Sequence, residues 1–384
     1  MSKSGRRPFL TRPARHDLMI LSILWGSREK GSVQPSLPAE RMEMGMARTR
    51  HLFPGSNTAA GFVGFFESLR GAAQRTVILK GGPGVGKSTL MGKVGKHYER
   101  LGMETAYYHC SGDPDSLDAV AVPAAGFLVM DGTAPHIVDP AFPGARDGIL
   151  NLGVCLDEAQ LACQTEEIEK LNREIAGCYA RAYRYLRSAL AVKQDAAAVF
   201  EEALPEKEKR ALQRELAALL PASGPGGESH AFCQAITWKG VVQETDALLT
   251  ETICCLDVPW GFDADALLRP VWEAAGWQGI ARTAWHDPLD AGKLGHVTAG
   301  GAVFTTAVVM DGALFTPDMD EGALRREASR LAFDRAACDL LINQAVEALA
   351  QAKQKHDALE RFYMDAMDYE QLEEIAGDFL AGLP

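Results

Sequence analysis

One stretch near residue 80 constrains the fold of this chain more than any other. Thr76 to Leu79 is a short apolar run with β-branched residues, which is typical of a buried strand. It leads into Gly81-Gly82-Pro83-Gly84-Val85-Gly86-Lys87-Ser88, which fits the pattern G-x-x-x-x-G-K-[ST] at every fixed position. A helix is predicted next, from apolar residues that recur at helical spacing: Leu90, Val94, Tyr98 and Leu101.

The residue types in this glycine-rich loop suit the binding of a phosphate chain. Glycines let the backbone curl so that successive N–H groups point inward, and the N-terminal end of the next helix adds positive potential. We expect Lys87 to reach the β- and γ-phosphates of a nucleotide and the Ser88 hydroxyl to hold Mg²⁺. The predicted nucleotide-binding residues are Gly82, Pro83, Gly84, Val85, Gly86, Lys87, Ser88 and Thr89.

A second buried strand is predicted about 40 residues after the loop, from Gly126 to Asp131. An apolar run that ends in an acid is expected to deliver its carboxylate beside the metal, so Asp131 is a candidate metal ligand and catalytic residue. Gly132 follows, so the glutamate that many ATPase motors carry at that position is missing. His136, in the next loop, either senses the γ-phosphate or handles a substrate proton, or it is structural.

Two aspartates follow another strand candidate, Glu104 to Cys110. In open parallel α/β sheets, ligands bind outside the carboxyl ends of the strands. Asp113 and Asp115 are therefore candidates to bind metal-linked water, to act as a base or to hold a substrate hydroxyl. The alternative is that Asp113 and Ser116 form turns and cap the next short helix.

The second half of the chain repeats the first. His51-Leu52-Phe53 is echoed by His230-Ala231-Phe232, 179 residues later, and Leu128 to Gly132 by Val308 to Gly312, 180 residues later. Each half ends in a long helical pattern. The expected fold is α/β: a P-loop NTPase-type parallel sheet flanked by helices, duplicated, with each copy followed by a helical hairpin.

The second copy lacks the phosphate loop. Asp257 to Asp265 stands in its place, without a lysine or hydroxyl residue where Lys87 and Ser88 would be. Two bulky aromatic residues stand where the chain should turn tightly, and three aspartates put uncompensated negative charge where phosphates would lie. We therefore expect that the scaffold is kept and the phosphate site is lost.

Four regions are predicted. Residues 1–46 form an N-terminal extension that is disordered or a misassigned start, and residues 47–220 form the P-loop domain with its hairpin. Residues 221–229 are a linker, and residues 230–384 form the degenerate domain with its hairpin.

Charge and cysteine content exclude some classes of function. The net charge of -12 over 384 residues argues against bulk nucleic-acid binding and against an anionic membrane surface. The apolar run from Leu18 to Trp25 is too short to span a bilayer. The eight cysteines contain no C-x-x-C pair, which favours a reducing cytoplasm and argues against a zinc site.

The chain resembles the uncharacterised, duplicated P-loop ATPase-like proteins of bacteria. The residues that carry the resemblance are His51 to Thr58, Lys80 to Thr89, His109 to Asp118, and Asp131 to His136. The resemblance covers about residues 47–384 and implies ATP binding and a cytoplasmic protein, but little about biological role. Relatives often keep a P-loop in both halves, so this second half departs from the family pattern.

Three functions are compatible with these residues. The first is an Mg²⁺-dependent ATPase or ATP-driven switch with one working site. The second is a small-molecule or nucleotide kinase, with Asp113 or Asp115 as base and arginines of the helical region as a lid. The third is a non-catalytic nucleotide-binding interaction protein.

We prefer ATP to GTP as the nucleotide, because the sequence has no N-K-x-D stretch of the kind that reads guanine. The acceptor substrate or protein partner is not specified by any motif.

Overall fold

The computed structural model describes residues 49–134, 136–221, 223–224, 226–248, 250, 252–306 and 312–383. The predicted extension, residues 1–46, lies outside them, as does Asp311 of the second repeat. The described part is α/β, with two six-stranded mixed sheets flanked by helices.

Eight strands and five α-helices are described in the first half. They are β1 (Thr49–Leu52), β2 (Gly55–Thr58), β3 (Gly61–Gly64), α1 (Phe66–Ala72), β4 (Arg75–Lys80), α2 (Lys87–Arg100), β5 (Thr105–His109), β6 (Leu117–Val122), β7 (Phe127–Asp131), β8 (Asp147–Asn151), α3 (Glu158–Ala162), α4 (Thr165–Ala203) and α5 (Glu206–Ala217). Six strands form one sheet in the order β1-β5-β6-β7-β4-β8. The predicted strands at Thr76 to Leu79 and before Asp131 are confirmed, as is the helix after the loop.

The prediction of a parallel sheet is wrong at one strand of this half. Strand β6 runs antiparallel to both of its neighbours, β5 and β7. The cause is the tight turn between Cys110 and Ser116, in which the Ser116 N–H donates to the Asp113 carbonyl at 2.8 Å. Such a short connection reverses the chain, whereas a parallel crossover needs a dozen or more residues.

The second half repeats this plan. Its elements are β9 (Glu228–Ala231), β10 (Gln234–Thr237), β11 (Gly240–Gln243), β12 (Thr252–Leu256), α6 (Asp265–Trp277), β13 (Arg282–His286), β14 (Leu294–Ala299), β15 (Ala302–Thr305), β16 (Ala313–Phe315), α7 (Glu321–Asp365) and α8 (Tyr369–Ala381). The sheet order β16-β12-β15-β14-β13-β9 is the first sheet read from its other edge, which fits the predicted duplication. Strand β9 begins at Glu228, inside the stretch predicted as a linker.

The two copies meet at Phe53 and Phe232. The backbone of each residue donates to the other, with N–O distances of 2.9 and 3.0 Å, and both side chains are fully buried. Because these residues are equivalent in the repeat, the contact is self-complementary, as at a two-fold axis.

The prediction that each copy ends in its own helical hairpin is wrong. Helices α4 and α7, of 39 and 45 residues, pack along each other instead of folding back within their own copy. The short helices that follow are exchanged, since α5 packs on α6 of the second half and α8 on α2 of the first. A 39-residue helix spans about 60 Å, so its end lies over the opposite copy.

None of the described helices is both long and apolar enough to cross a membrane.

Candidate functional site

The glycine-rich loop is curled around the ammonium group of Lys87. Strand β4 ends at Lys80, α2 begins at Lys87, and both Gly84 (φ 72°) and Gly86 (φ 85°) adopt the left-handed conformation that glycine tolerates best. The Lys87 Nζ donates to the carbonyl oxygens of Gly81 at 3.2 Å and Gly82 at 2.7 Å. The loop carbonyls therefore satisfy a cation that is only 8 % exposed.

Asp131 lies beside this lysine, as the sequence predicted. It ends β7 at the register position of Leu79 on β4, and its Oδ2 is 3.6 Å from Lys87 Nζ. Its Oδ1 accepts from the backbone N–H of Thr133 at 2.8 Å and from the Thr133 hydroxyl at 2.6 Å. One carboxylate oxygen is thus fixed by the following loop, and the other faces the phosphate loop.

Ser88 connects the loop to the strand that the sequence did not predict. Its Oγ accepts from the backbone N–H of Leu117, the first residue of β6, at 3.0 Å. The next residue is Asp118, which is 4 % exposed and was not among the predicted site residues.

Asp118 lies at the end of the β6–β7 ladder, near Asp131. The β6–β7 register pairs Ala119 with Met130, the residues next to Asp118 and Asp131 in the chain. Burial raises the pKa of the Asp118 carboxyl to about 6, and the Asp131 carboxylate acts in the same direction. A protonated His136, a hydrogen bond from the Cys110 thiol and the Lys87 ammonium act in the opposite direction. A sequence signal existed, because Asp118 stands in an otherwise apolar run, Leu117 to Val122, that is typical of a strand.

His136 closes the site from the other face of the sheet. Its side chain is 7 % exposed, and its ring stacks on Phe66 with centroids 4.4 Å apart. The Nε2 lies 3.8 Å from Asp118 Oδ1. Neither ring nitrogen has a hydrogen-bond partner among the residues that the structure describes.

The structure does not bring Asp113 and Asp115 to the phosphate loop as free carboxylates. Asp115 accepts from Lys239 Nζ at 2.7 and 2.6 Å, and Asp113 lies 3.4 Å from Lys353 Nζ. Both lysines come from the second half. The turn that contains the aspartates leads into β6, not into the short helix that the alternative reading expected.

Two of the arginines predicted as a lid are engaged along the long helices. Arg173 pairs with Glu169 on its own helix, and Arg181 donates to Gln351 of α7.

The outer wall of the phosphate loop comes from the second half. A β-carbon at Gly82 would collide with the ring of Tyr363, and one at Gly84 would lie 3.1 Å from Met364 Cγ. At Gly86 the nearest atom would be Leu372 Cδ2, at 3.4 Å. The glycines of the loop are therefore needed for the approach of α7 and α8 as well as for its curl.

The donor set fits a magnesium ion. Ser88 supplies a hydroxyl, and Asp118 and Asp131 supply carboxylates, which are the hard oxygen ligands that Mg²⁺ prefers. A neutral imidazole has one acceptor nitrogen, so His136 can accept from one metal-bound water.

The equivalent loop of the second half is built differently. The buried residues Leu267, Leu268 and Val271 of α6 match Leu90, Met91 and Val94 of α2 at an offset of 177, which places Asp265 at the position of Ser88. Asp265 Oδ1 accepts from Leu294 N at 2.9 Å, just as Ser88 accepts from Leu117. The same offset places Ala264 at the position of Lys87 and Gly295 at that of Asp118.

Two of the three aspartates in this second loop are neutralised by ion pairs. Asp265 is bound by both arms of the Arg269 guanidinium, at 2.9 and 2.7 Å, and Asp263 lies 2.7 Å from Lys293 Nζ. The expectation of uncompensated negative charge is therefore wrong for these two. A cavity of about 520 Å³ lies beside the loop, and its lining includes Trp260, Phe262 and Lys193.

The chain matches no protein-family model, and neither curated proteins nor solved structures give a significant match. Assignment of a function therefore depends on the residues themselves.

Proposed function

We propose that the first half binds ATP with Mg²⁺ through residues 82–89, and that the protein is an Mg²⁺-dependent ATPase or ATP-driven switch with one working site. The observation that carries the proposal is the position of Lys87. Its ammonium is held by two loop carbonyls, 3.6 Å from Asp131, at the start of a 14-residue helix.

This arrangement has the parts that phosphate binding requires. The loop offers backbone N–H groups and the positive end of α2, and Lys87 can exchange its carbonyl partners for phosphate oxygens. Ser88 and Asp131 are the residues that would hold Mg²⁺, which neutralises part of the phosphate charge.

The wall of the phosphate loop favours a switch. Tyr363, Met364 and Leu372 belong to the second half and contact the loop glycines directly. A change in the loop on nucleotide binding is therefore transmitted to the end of α7, whose length runs along α4.

The kinase alternative has less support from the geometry. Asp113 and Asp115, its candidate bases, already carry ion pairs with Lys353 and Lys239. An acceptor-dependent consumption of ATP would nevertheless favour it, and binding without turnover would favour a non-catalytic nucleotide-binding protein.

The decisive test is Lys87→Ala, with Lys93→Ala as the matched control. Lys93 lies on the same helix but is exposed. We expect Lys87→Ala to weaken ATP binding by about 100-fold, because two charge-assisted hydrogen bonds contribute roughly 3 kcal/mol. ATP titration is the measurement, on variants whose thermal unfolding matches that of the wild type. Affinity close to that of the wild type in Lys87→Ala would refute the assignment of the loop.

A further inference from the structure

The site holds two carboxylates whose charges repel each other. Asp118 is buried, and the Asp131 side chain is 15 % exposed. Asp118 follows Leu117, whose N–H donates to Ser88 at the start of α2, and Asp131 shares the face of Val129, which packs on α2. The Asp131 carboxylate raises the pKa of the Asp118 carboxyl, as expected for neighbouring like charges. In the structure, Lys87 offsets this repulsion from 3.6 Å away from Asp131.

Lys87 cannot serve both the carboxylates and a phosphate chain. When its ammonium turns to phosphate oxygens, Asp131 loses the cation that lies 3.6 Å from it, beside the buried Asp118. Uncompensated buried charge is costly. A divalent cation between the carboxylates and the phosphates would restore the balance.

The imidazole of His136 is a second indication of a ligand beside Asp118. Its side chain is more than nine-tenths buried, its Nε2 lies 3.8 Å from Asp118 Oδ1, and neither ring nitrogen has a hydrogen-bond partner among the described residues. A buried polar group in a native protein is normally hydrogen-bonded. Mg²⁺ usually keeps several of its waters, and a metal-bound water donates readily to a bare ring nitrogen.

The second half of the chain serves as an internal comparison. Residues with a structural role are the same in both copies: His51 bonds His109 at 2.8 Å, and His230 bonds His286 at 2.9 Å. At the position of Asp118, however, the second copy has Gly295, and at the position of Lys87 it has Ala264. The carboxylate is absent from the same copy that lacks the phosphate-binding lysine.

We propose that Asp118 is a second carboxylate ligand of the divalent cation, sharing it with Asp131 and Ser88, and that His136 accepts from a water of that cation. The inference rests on the nucleotide-binding function proposed above.

Mn²⁺ binding tests the role of Asp118 directly. Mn²⁺ is titrated into the full chain by electron paramagnetic resonance, alone and with ATP, for the wild type, Asp118→Asn and Asp131→Asn. Asp139→Asn is the control, because Asp139 follows the same strand but its side chain is 76 % exposed. We expect Asp118→Asn to weaken Mn²⁺ binding at least tenfold, as Asp131→Asn does, and the control to match the wild type.

The outcomes separate this inference from the proposed function. Wild-type Mn²⁺ affinity in Asp118→Asn, together with a loss in Asp131→Asn, overturns the role of Asp118 while ATP binding stands. Absence of ATP binding with Mn²⁺ binding that depends on Asp118 refutes the nucleotide function instead.

A measurement on the wild-type chain covers the case in which Asp118→Asn does not fold. Electron–nuclear double resonance of bound Mn²⁺, with aspartate labelled by ¹³C at its carboxylate, is expected to show two strongly coupled carbons. A single coupled carbon overturns the proposal.

Discussion

The two carboxylate oxygens of Asp131 have different partners, so its hydrogen bonds and its charge can be tested separately. Its Oδ1 is fixed by two hydrogen bonds from Thr133, while its Oδ2 faces Lys87. Asparagine at this position can keep the contact with Thr133 through its carbonyl oxygen, but it removes the charge that a metal needs. We therefore expect Asp131→Asn to preserve the fold of the loop and to impair metal-dependent chemistry.

Asp131→Asn is expected to lower Mg²⁺-dependent ATP turnover much more than ATP affinity. Mg²⁺-dependent ATP turnover is expected to fall by roughly 100-fold, since a metal-held charge stabilises the transition state by several kcal/mol. ATP affinity is expected to change only a few-fold, because the loop and Lys87 remain. Equal turnover in the variant and the wild type would show that Asp131 is only a strand-end residue.

The part of the site that follows local sequence was predictable, and the rest was not. Lys87, Ser88 and Asp131 came from a motif and from one strand that ends in an acid. Asp118 was missed because its position depends on the reversal of β6, which the assumption of a parallel sheet hides. Asp113 and Asp115 were candidates for a catalytic role, because the sequence does not show their ion-pair partners. These partners, Lys353 and Lys239, lie more than 120 residues away in the chain.

At the scale of elements, each of the short helices α5 and α8 packs in the hydrophobic core of the opposite copy. Leu216 of α5 is fully buried in the same cluster as Leu267 and Leu268 of α6. In the first copy, Ile375 and Ala376 of α8 pack in the cluster that contains the buried residues of α2. An amphipathic pattern shows that one face of a helix is buried but does not identify its partner. For this reason the sequence predicted local hairpins.

Leu216→Ala tests the exchange. Truncation of a fully buried leucine costs about 2–5 kcal/mol, and we expect hydrogen exchange to accelerate in the second sheet although Leu216 belongs to the first copy. Leu219→Ala is the control, because Leu219 is nearby and 42 % exposed. Accelerated exchange confined to the first sheet would contradict the exchanged arrangement.

At the scale of the whole molecule, two copies with the same strand order have diverged in one loop. The sequence predicted the duplication from the recurrence of short motifs at a nearly constant spacing. It also predicted the loss of the second phosphate site, but for an incomplete reason. The described ion pairs of Asp263 and Asp265 show that repulsion by free aspartates is not the main obstacle.

The stronger obstacle is that the charged groups described at the second loop are already paired. The Ser88 position is taken by Asp265, whose carboxylate is used by Arg269 and by the N–H of Leu294. The three lysines that line the cavity are also engaged: Lys193 bonds Asp287 and Lys293 bonds Asp263, each at 2.7 Å, and Lys209 lies 2.6 Å from Glu206. Phosphate binding needs converging donors and an available cation. The cavity is therefore not expected to accept a triphosphate.

One ATP per chain is the expected stoichiometry. Isothermal titration calorimetry on the full chain measures it, and Lys87→Ala is expected to abolish the whole signal because Lys87 belongs to the loop that we propose binds ATP. The second variant, Asp265→Ser, restores the hydroxyl but not the lysine or the glycine curl, so it is expected to leave the stoichiometry at one. Two ATP per chain, with one site surviving Lys87→Ala, would show that the second loop binds nucleotide through groups other than those of a phosphate loop.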